Sequence, residues 1–346
     1  MTPLIKGMMM ETLYVVEPGS YVKKSGNALN IMKQGIVLET IPAIGLEKLV
    51  LSGYVSLSGP VMDFLIRNRV ETVFVTPTGR FRARLMIDEH KHVALRKAQY
   101  LKLSQEVFCL ATMKIIVKGK LDNMVSFLIR RSRDYSDNLL KNAAAGLKSL
   151  GRKLDENLSK DAVRGIEGAG ARIYFSVFKR LIRNSDFSFN GRNRRPPLDP
   201  VNALLSFVYT LLTNEVLSAI KICGLDPYLG ALHEISYGRP SLACDLVEEY
   251  RCIIGDRLVL NLLNRKMIKP ADFVFRNRAQ KTFADEQEMK KQRPVEMKPY
   301  LYKTFLASYE DMMTGKALYR NLIRKQARSF SEYLNKSEER YQPIAM

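Results

Sequence analysis

The order of apolar and polar positions changes character about a quarter of the way along the chain. Up to about residue 90 the apolar runs are brief, β-branched or aromatic, and separated by Gly, Pro and Asn: TLYVV, ALNIM, GIVLETI, KLVLSG and ETVFVTP. Runs of this kind predict short strands. One segment among them, VMDFLIRN after Gly59-Pro60, predicts a short helix. From about Val93 the runs lengthen and take the 3.6-residue period, with hardly a strand candidate left. The pattern predicts an α+β chain. A small β-rich N-terminal domain spans 1–92, a linker 93–98, a larger all-α domain 99–335, and a frayed tail 336–346. A chain of 346 residues has about two domains as its natural expectation.

Several helical segments carry polar residues where an ordinary core helix would not. In SKDAVRGIEGAGARIYFSVFKRLIR, Ile166, Gly170, Ile173, Val177 and Leu181 form the core stripe. Glu167 falls with Ala171, Tyr174 and Phe178 on a second apolar flank. A carboxylate there is costly unless it is paired with an arginine or bound to a metal. Gly165, Gly168 and Gly170 each cost the helix about 1 kcal/mol relative to Ala, which predicts close approach of another helix or a ligand. The next helix opens at Asp199-Pro200 and closes at Gly224 with Lys221 in its last turn. Its polar stripe of Asn202, Ser206, Tyr209 and Thr213 is either a buried hydrogen-bonding stripe or a cleft wall. Asp226-Pro227 predicts a short helix running into His233; GRP breaks it, and Ser241 caps a last piece. In that piece Leu246, Tyr250, Ile253 and Ile254 define the core side. Asp245, Glu248 and Glu249, at i, i+3 and i+4, lie opposite and on their own read as a solvated face.

Charge adds a partner to this picture. The chain carries 55 Lys+Arg and 35 Asp+Glu, a net of +20. Residues 1–95 hold 11 basic and 8 acidic residues, so the remaining 44 and 27 give +17 to the helical part. A basic excess confined to one part of a chain is the footprint of a polyanion, nucleic acid or an acidic membrane surface. The loop NSDFSFNGRNRRPP, with Arg192, Arg194 and Arg195, suits phosphate contact. No run approaches the roughly 18 apolar residues of a membrane span. The start, MTPLIKGMMMETLYVV, lacks the features of an export signal, which points to the cytoplasm. Four cysteines without C-x-x-C spacing read as reduced thiols. The pair His90 and His92 has no nearby ligand partner and reads as a solvated turn. His233 with several carboxylates is an oxygen-rich set suited to Mg²⁺ or Mn²⁺, and in a basic protein it suggests metal-assisted phosphodiester chemistry.

Taken together, GIEGAGARIYF, DPVNALLSFVYTLL, GLDPYLGALHE and GRPSLACDLVEEYR, in this order over residues 165–251, resemble the CRISPR-associated endonuclease-integrase family of spacer acquisition. The LYV opening, the GIVLETIP segment and VKGKLDN from Val117 to Asn123 fit the same family. The resemblance implies a β-rich domain used for dimerisation and a helical catalytic domain. It implies that Glu167, His233 and Glu248 are catalytic and hold Mg²⁺ or Mn²⁺, with Asp245 as the accompanying acid and a possible further ligand. Glu248 stands where many members carry Asp. Asn202, Tyr209 and Tyr174 are supporting residues, and Arg192, Arg194, Arg195 and Arg239 are candidate phosphate clamps. The implied partners are double-stranded DNA, both captured fragment and CRISPR repeat, a second copy of the chain, and a small ferredoxin-like subunit; no membrane is implied. The implied reaction is transesterification, in which a 3′-hydroxyl of the captured fragment attacks a phosphodiester at the repeat edge. A metal nuclease acting on branched DNA without integrating, and a DNA-binding scaffold without catalysis, are the alternatives.

Overall fold

The computed structural model of the chain describes residues 12–76, 81–85, 92–193, 196–275, 295–335 and 340–345. The chain divides into two units, one of Met1–Glu89 with Pro299–Tyr319, the other of His90–Lys298 with Arg320–Met346.

The first unit is built on short strands: β1 (Thr12–Val15), β2 (Tyr21–Ser25), β3 (Ala28–Lys33), β4 (Ile36–Pro42), β5 (Lys48–Ser52), β6 (Ser56–Leu57), β7 (Glu71–Val75) and β8 (Phe81–Leu85). They form two four-stranded sheets, ordered β1-β5-β7-β8 and β4-β3-β2-β6. β1, β5 and β7 pair in parallel, and α1 (Gly59–Arg67) makes the crossover that a parallel step needs. Ser58 caps that helix, its Oγ accepting from Val61 N–H at 3.4 Å, with Pro60 in the first turn. Leu13, Val15, Val22, Leu29, Ile31, Ile41, Leu49, Leu51, Val61 and Leu65 close one core that both sheets and α1 share. β2, β6 and β8 were not among the expected strands: YVKKS and FRARL are too polar to stand out, and each is made a strand by its antiparallel neighbour, β3 or β7.

The second unit is helical: α2 (Val93–Ser104), α3 (Glu106–Tyr135), α4 (Asn138–Lys153), α5 (Lys160–Val177), α6 (Pro200–Ile222), α7 (Ser241–Leu246), α8 (Glu248–Tyr250), a π-helical stretch Arg251–Asp256, and α9 (Arg257–Asn264). A two-stranded antiparallel ribbon of β9 (Phe273–Phe275) and β10 (Val295–Met297) follows. Then come α10 (Pro299–Thr314), in the first unit, and α11 (Tyr319–Asn335). All four cysteines are free thiols.

Several expectations change. Residues 93–98 are the first turns of α2 and not a linker. The helical part is interrupted by the β9–β10 ribbon and by the return of 299–319 to the first unit, where Tyr14 donates to Glu310 Oε1 at 2.7 Å. α6 is, contrary to expectation, long and apolar enough by length and composition to cross a membrane, yet 67% of its most apolar window is buried within the protein. The tail is not frayed over 340–345. Tyr341 is 2% exposed and packs edge-on against Phe330, ring centroids 5.1 Å apart. No helix forms between Asp226 and His233; Asp226 Oδ1 instead accepts from Tyr228 N–H in a tight turn.

Candidate active site

Glu167 lies on α5, where Ser159 Oγ caps the helix by accepting from Ala162 N–H at 3.2 Å. Gly170, one turn on, lets α3 come close, since a Cβ there would clash with Leu121. The close approach expected of the three glycines occurs at this one; a Cβ at Gly165 or Gly168 meets nothing. Arg164 on the same helix reaches the loop that carries His233, with Nε donating to Leu232 O at 3.1 Å and Nη1 pairing with Glu234 at 3.0 Å.

His233 is set by Asp245. One oxygen of that carboxylate, Oδ1, accepts from His233 N–H at 2.9 Å and from His233 Nδ1 at 2.7 Å. The other, Oδ2, accepts from Ala231 and Leu232 N–H at 2.6 and 2.9 Å. That oxygen already accepts from the His233 backbone N–H, so Nδ1 is the ring nitrogen that donates to it and Nε2 is the one left outside this pairing. Gly230 is required here, because a Cβ would clash with Asp245 Oδ2. Asp245 is fully buried with both oxygens engaged. Through these bonds it organises the histidine loop. Ser241 is not a side-chain cap; its Oγ donates to Glu234 O at 3.0 Å and ties the far end of the loop.

The face of Asp245, Glu248 and Glu249 is buried throughout, at 0%, 3% and 0% exposure, and is not solvated. Glu248 meets Glu167 through Lys120 of α3. The Lys120 ammonium pairs with Glu167 Oε1 and with Glu248 Oε2, the latter at 2.7 Å. Arg251 Nη2 pairs with Glu248 Oε1 at 3.1 Å, while its Nε–H makes no hydrogen bond. Burial would push the Glu248 carboxyl up, but the charges of Arg251 and Lys120 outweigh it and hold the group at about 2. Glu249 turns to the tail instead. Tyr341 donates to its Oε1, and Ile344 N–H and Gln326 Nε2 donate to its Oε2 at 3.0 and 3.2 Å. Burial, partly offset by these bonds, pushes it up to about 7.

The supporting residues form a second network. Tyr174 donates to Asp256 Oδ2 at 2.9 Å and Tyr209 to Asp256 Oδ1 at 2.5 Å. Burial raises the Asp256 carboxyl to about 6 against the pull of both hydroxyls. Tyr209 stands between two guanidinium groups, Arg192 at 5.4 Å and Arg251 at 5.0 Å from its ring centroid. Arg192 donates to Asn202 Oδ1 at 2.7 Å and Ser206 Oγ at 3.1 Å. The α6 stripe is thus a hydrogen-bonding stripe, and Arg192, expected as a phosphate clamp, is bonded to it here. Arg239 is exposed on the histidine loop, and Arg194 and Arg195 lie outside the described residues.

Lys120, Arg251 and Asp256 were missed. Lys120 had a signal: it lies one turn from both Ile116 and Met124 on a buried stripe of α3, where a lysine needs a partner.

Among the described residues, no three His, Cys, Asp or Glu side chains are gathered as a metal cage. The donor set nevertheless fits a hard divalent cation in part. Carboxylate oxygens of Glu167 and Glu248, the latter buried, converge on one positive charge, as hard oxygen ligands would on a cation.

A family model described as CRISPR associated protein Cas1 matches residues 13–293. The chain is 39% identical over 302 residues to a CRISPR-associated endonuclease Cas1 of Chlorobaculum tepidum, covering 83% of this chain and 88% of that one. Its fold matches a CAS1 protein from Thermotoga maritima with a TM-score of 0.79 at 24% identity, covering 97% and 100% of the two chains. It also matches a casposase bound to integration product with a TM-score of 0.77 at 21% identity, covering 96% and 93%. With most of its length matched by the family model and by a relative 39% identical, the chain belongs to the CRISPR-associated Cas1 family.

Proposed function

We propose that this chain is a metal-dependent DNA endonuclease-integrase that inserts captured DNA fragments into a CRISPR array by transesterification. The observation that carries the reading is the meeting of Glu167 and Glu248, from two separate helices, around one buried positive charge. The relatives support it by name: one is a CRISPR-associated endonuclease Cas1, and a casposase bound to integration product has the same fold. The net charge of +20 suits a DNA partner. A second copy of the chain and a small ferredoxin-like subunit complete the assembly in this reading.

Glu167 and Glu248, with His233, would hold Mg²⁺ or Mn²⁺. Once bound, such a cation lowers the pKa of an attacking hydroxyl and offsets charge at a phosphodiester. The remaining work falls to the chain. Asp245 fixes the His233 tautomer, so that Nε2 is the free nitrogen, able to act as a ligand or, protonated, to donate to the leaving 3′-oxygen. Arg251, paired with Glu248 Oε1, adds a second positive charge beside the acids. In the transfer, the fragment's 3′-oxygen bonds to phosphorus as the bond to the repeat's 3′-oxygen breaks. The attacking hydroxyl loses a proton and the leaving oxygen gains one.

A strand-joining assay tests this, with a short duplex bearing free 3′-hydroxyls and a repeat-bearing plasmid. Glu167→Ala, His233→Ala and Glu248→Ala are each expected to abolish joining and leave DNA binding largely intact. EDTA should inactivate and Mn²⁺ restore. An active Glu167→Ala protein, or joining that persists in chelator, refutes the reading. Cutting of branched DNA without joining would identify a nuclease instead.

A further inference from the structure

Lys120 sits between the two acids although the chemistry assigned above does not use it. Its side chain is 4% exposed, and it touches Glu167 and Glu248 together. Arg251 brings a second positive charge to Glu248. Two carboxylates and two cations already balance. A divalent cation bound by the same oxygens would leave the cluster with two positive charges in excess, in a site where low solvent access strengthens charge interactions. DNA supplies the missing negative charge, one per phosphate, and a phosphate oxygen is as good a partner for an ammonium as a carboxylate is. Lysine suits such an exchange. Its charge is a point on a flexible four-carbon stem that can change partners while α3 stays in place.

Resting on the reading of a metal-dependent DNA-processing site, we propose that Lys120 is a charge gate: it competes with a divalent cation for Glu167 and Glu248, and yields them when a DNA phosphate takes its ammonium. Metal and DNA then bind cooperatively, and by linkage each raises the affinity of the other by the same factor. The divalent ion is then held firmly only where there is DNA to act upon.

The experiment measures Mn²⁺ binding to the full chain by electron paramagnetic resonance, with and without a short duplex bearing 3′-hydroxyl ends. In the parent protein the duplex is expected to tighten Mn²⁺ binding by about tenfold or more, within the usual range of such couplings. Lys120→Met should bind Mn²⁺ about tenfold more tightly than the parent without DNA, since even in water a unit charge at contact range opposes a divalent ion by that much or more. In that variant the effect of DNA should largely disappear, whereas Lys120→Arg, which keeps the charge, should retain it. A Lys120→Met protein with parental Mn²⁺ affinity and parental coupling overturns the gate. So does a parent protein whose Mn²⁺ affinity ignores DNA, a result that stands whether or not the methionine variant folds. Failure of the functional reading looks different: the parent then binds no Mn²⁺ under either condition, or Glu167→Ala binds it as well as the parent does.

Discussion

Replacing Glu249 by glutamine removes an ionisation that the fold resists. The carboxyl is fully buried, and its pKa is pushed up from 4.5 to about 7 by that burial, against the pull of the Tyr341 hydroxyl, Ile344 N–H and Gln326. Between pH 4.5 and about 7 the folded chain holds a proton that the unfolded chain releases. Stability therefore falls as pH rises through that window and is level above it. The difference across the window is about 3 kcal/mol. Glutamine is neutral at every pH, accepts from Ile344 N–H through its oxygen, and can donate to the Tyr341 oxygen. It should avoid most of the loss.

Glu249→Gln is therefore expected to melt roughly 4–8 °C above the parent at pH 8, given the sensitivity of Tm in a domain of this size. At pH 4.5 the two proteins should melt together, because the parent carboxyl is then neutral as well. Scanning calorimetry of both proteins at matched ionic strength gives the comparison. The difference between them cancels the general effect of a +20 net charge on acid stability. Equal melting at pH 8, or a gap of the same size at both pH values, refutes the reasoning.

Asp245→Ala leaves three backbone N–H groups of residues 231–233 without their acceptor, so it is expected to lower stability by about 3 kcal/mol or more and to abolish joining together with expression yield, as read by melting and by the assay above. Gly170→Ala pushes a methyl into Leu121, and should cost about 1–3 kcal/mol in denaturant melts without touching a charged group. Arg239→Ala removes an exposed cation on the histidine loop; its salt dependence of DNA binding should become shallower by about one in log–log slope. Arg192→Ala, by contrast, breaks bonds to Asn202 and Ser206, and should lower stability more than it changes the salt slope.

Periodicity made the division of the chain legible because β-rich and helical segments bury side chains at different spacings. It separated strands such as β5 from the long run of α6 without any knowledge of contacts. It failed where a partner decides the structure. YVKKS is a strand because β3, just across the Gly26-Asn27 turn, pairs with it, and Tyr341 is buried because Phe330 and Glu249 receive it; neither segment's own composition announces the outcome. The helix placed at Asp226 failed for another reason. Pro227 and the Asp226 side chain favour a single turn as readily as a helix start, and nothing local decides between them.

The acids show the same limit at the level of chemistry. Spacing put Asp245, Glu248 and Glu249 on one side of a helix, yet the protein gives them three separate duties. Asp245 accepts four hydrogen bonds and shapes a loop, Glu248 meets Glu167, and Glu249 anchors the tail. Helix angle alone cannot distinguish these, because adjacent side chains 100° apart reach different neighbours once the helix is buried on all sides. What distinguishes them is charge balance. A fully buried acid is tolerated only where backbone donors, a cation or a retained proton answers it, and each of the three residues uses a different one of these answers. Only the cation-paired acid, Glu248, has a partner that can be exchanged for a metal without unfolding its surroundings. That is why the proposed chemistry rests on Glu248 together with Glu167, and why the proposed gate is Lys120, the partner to be exchanged.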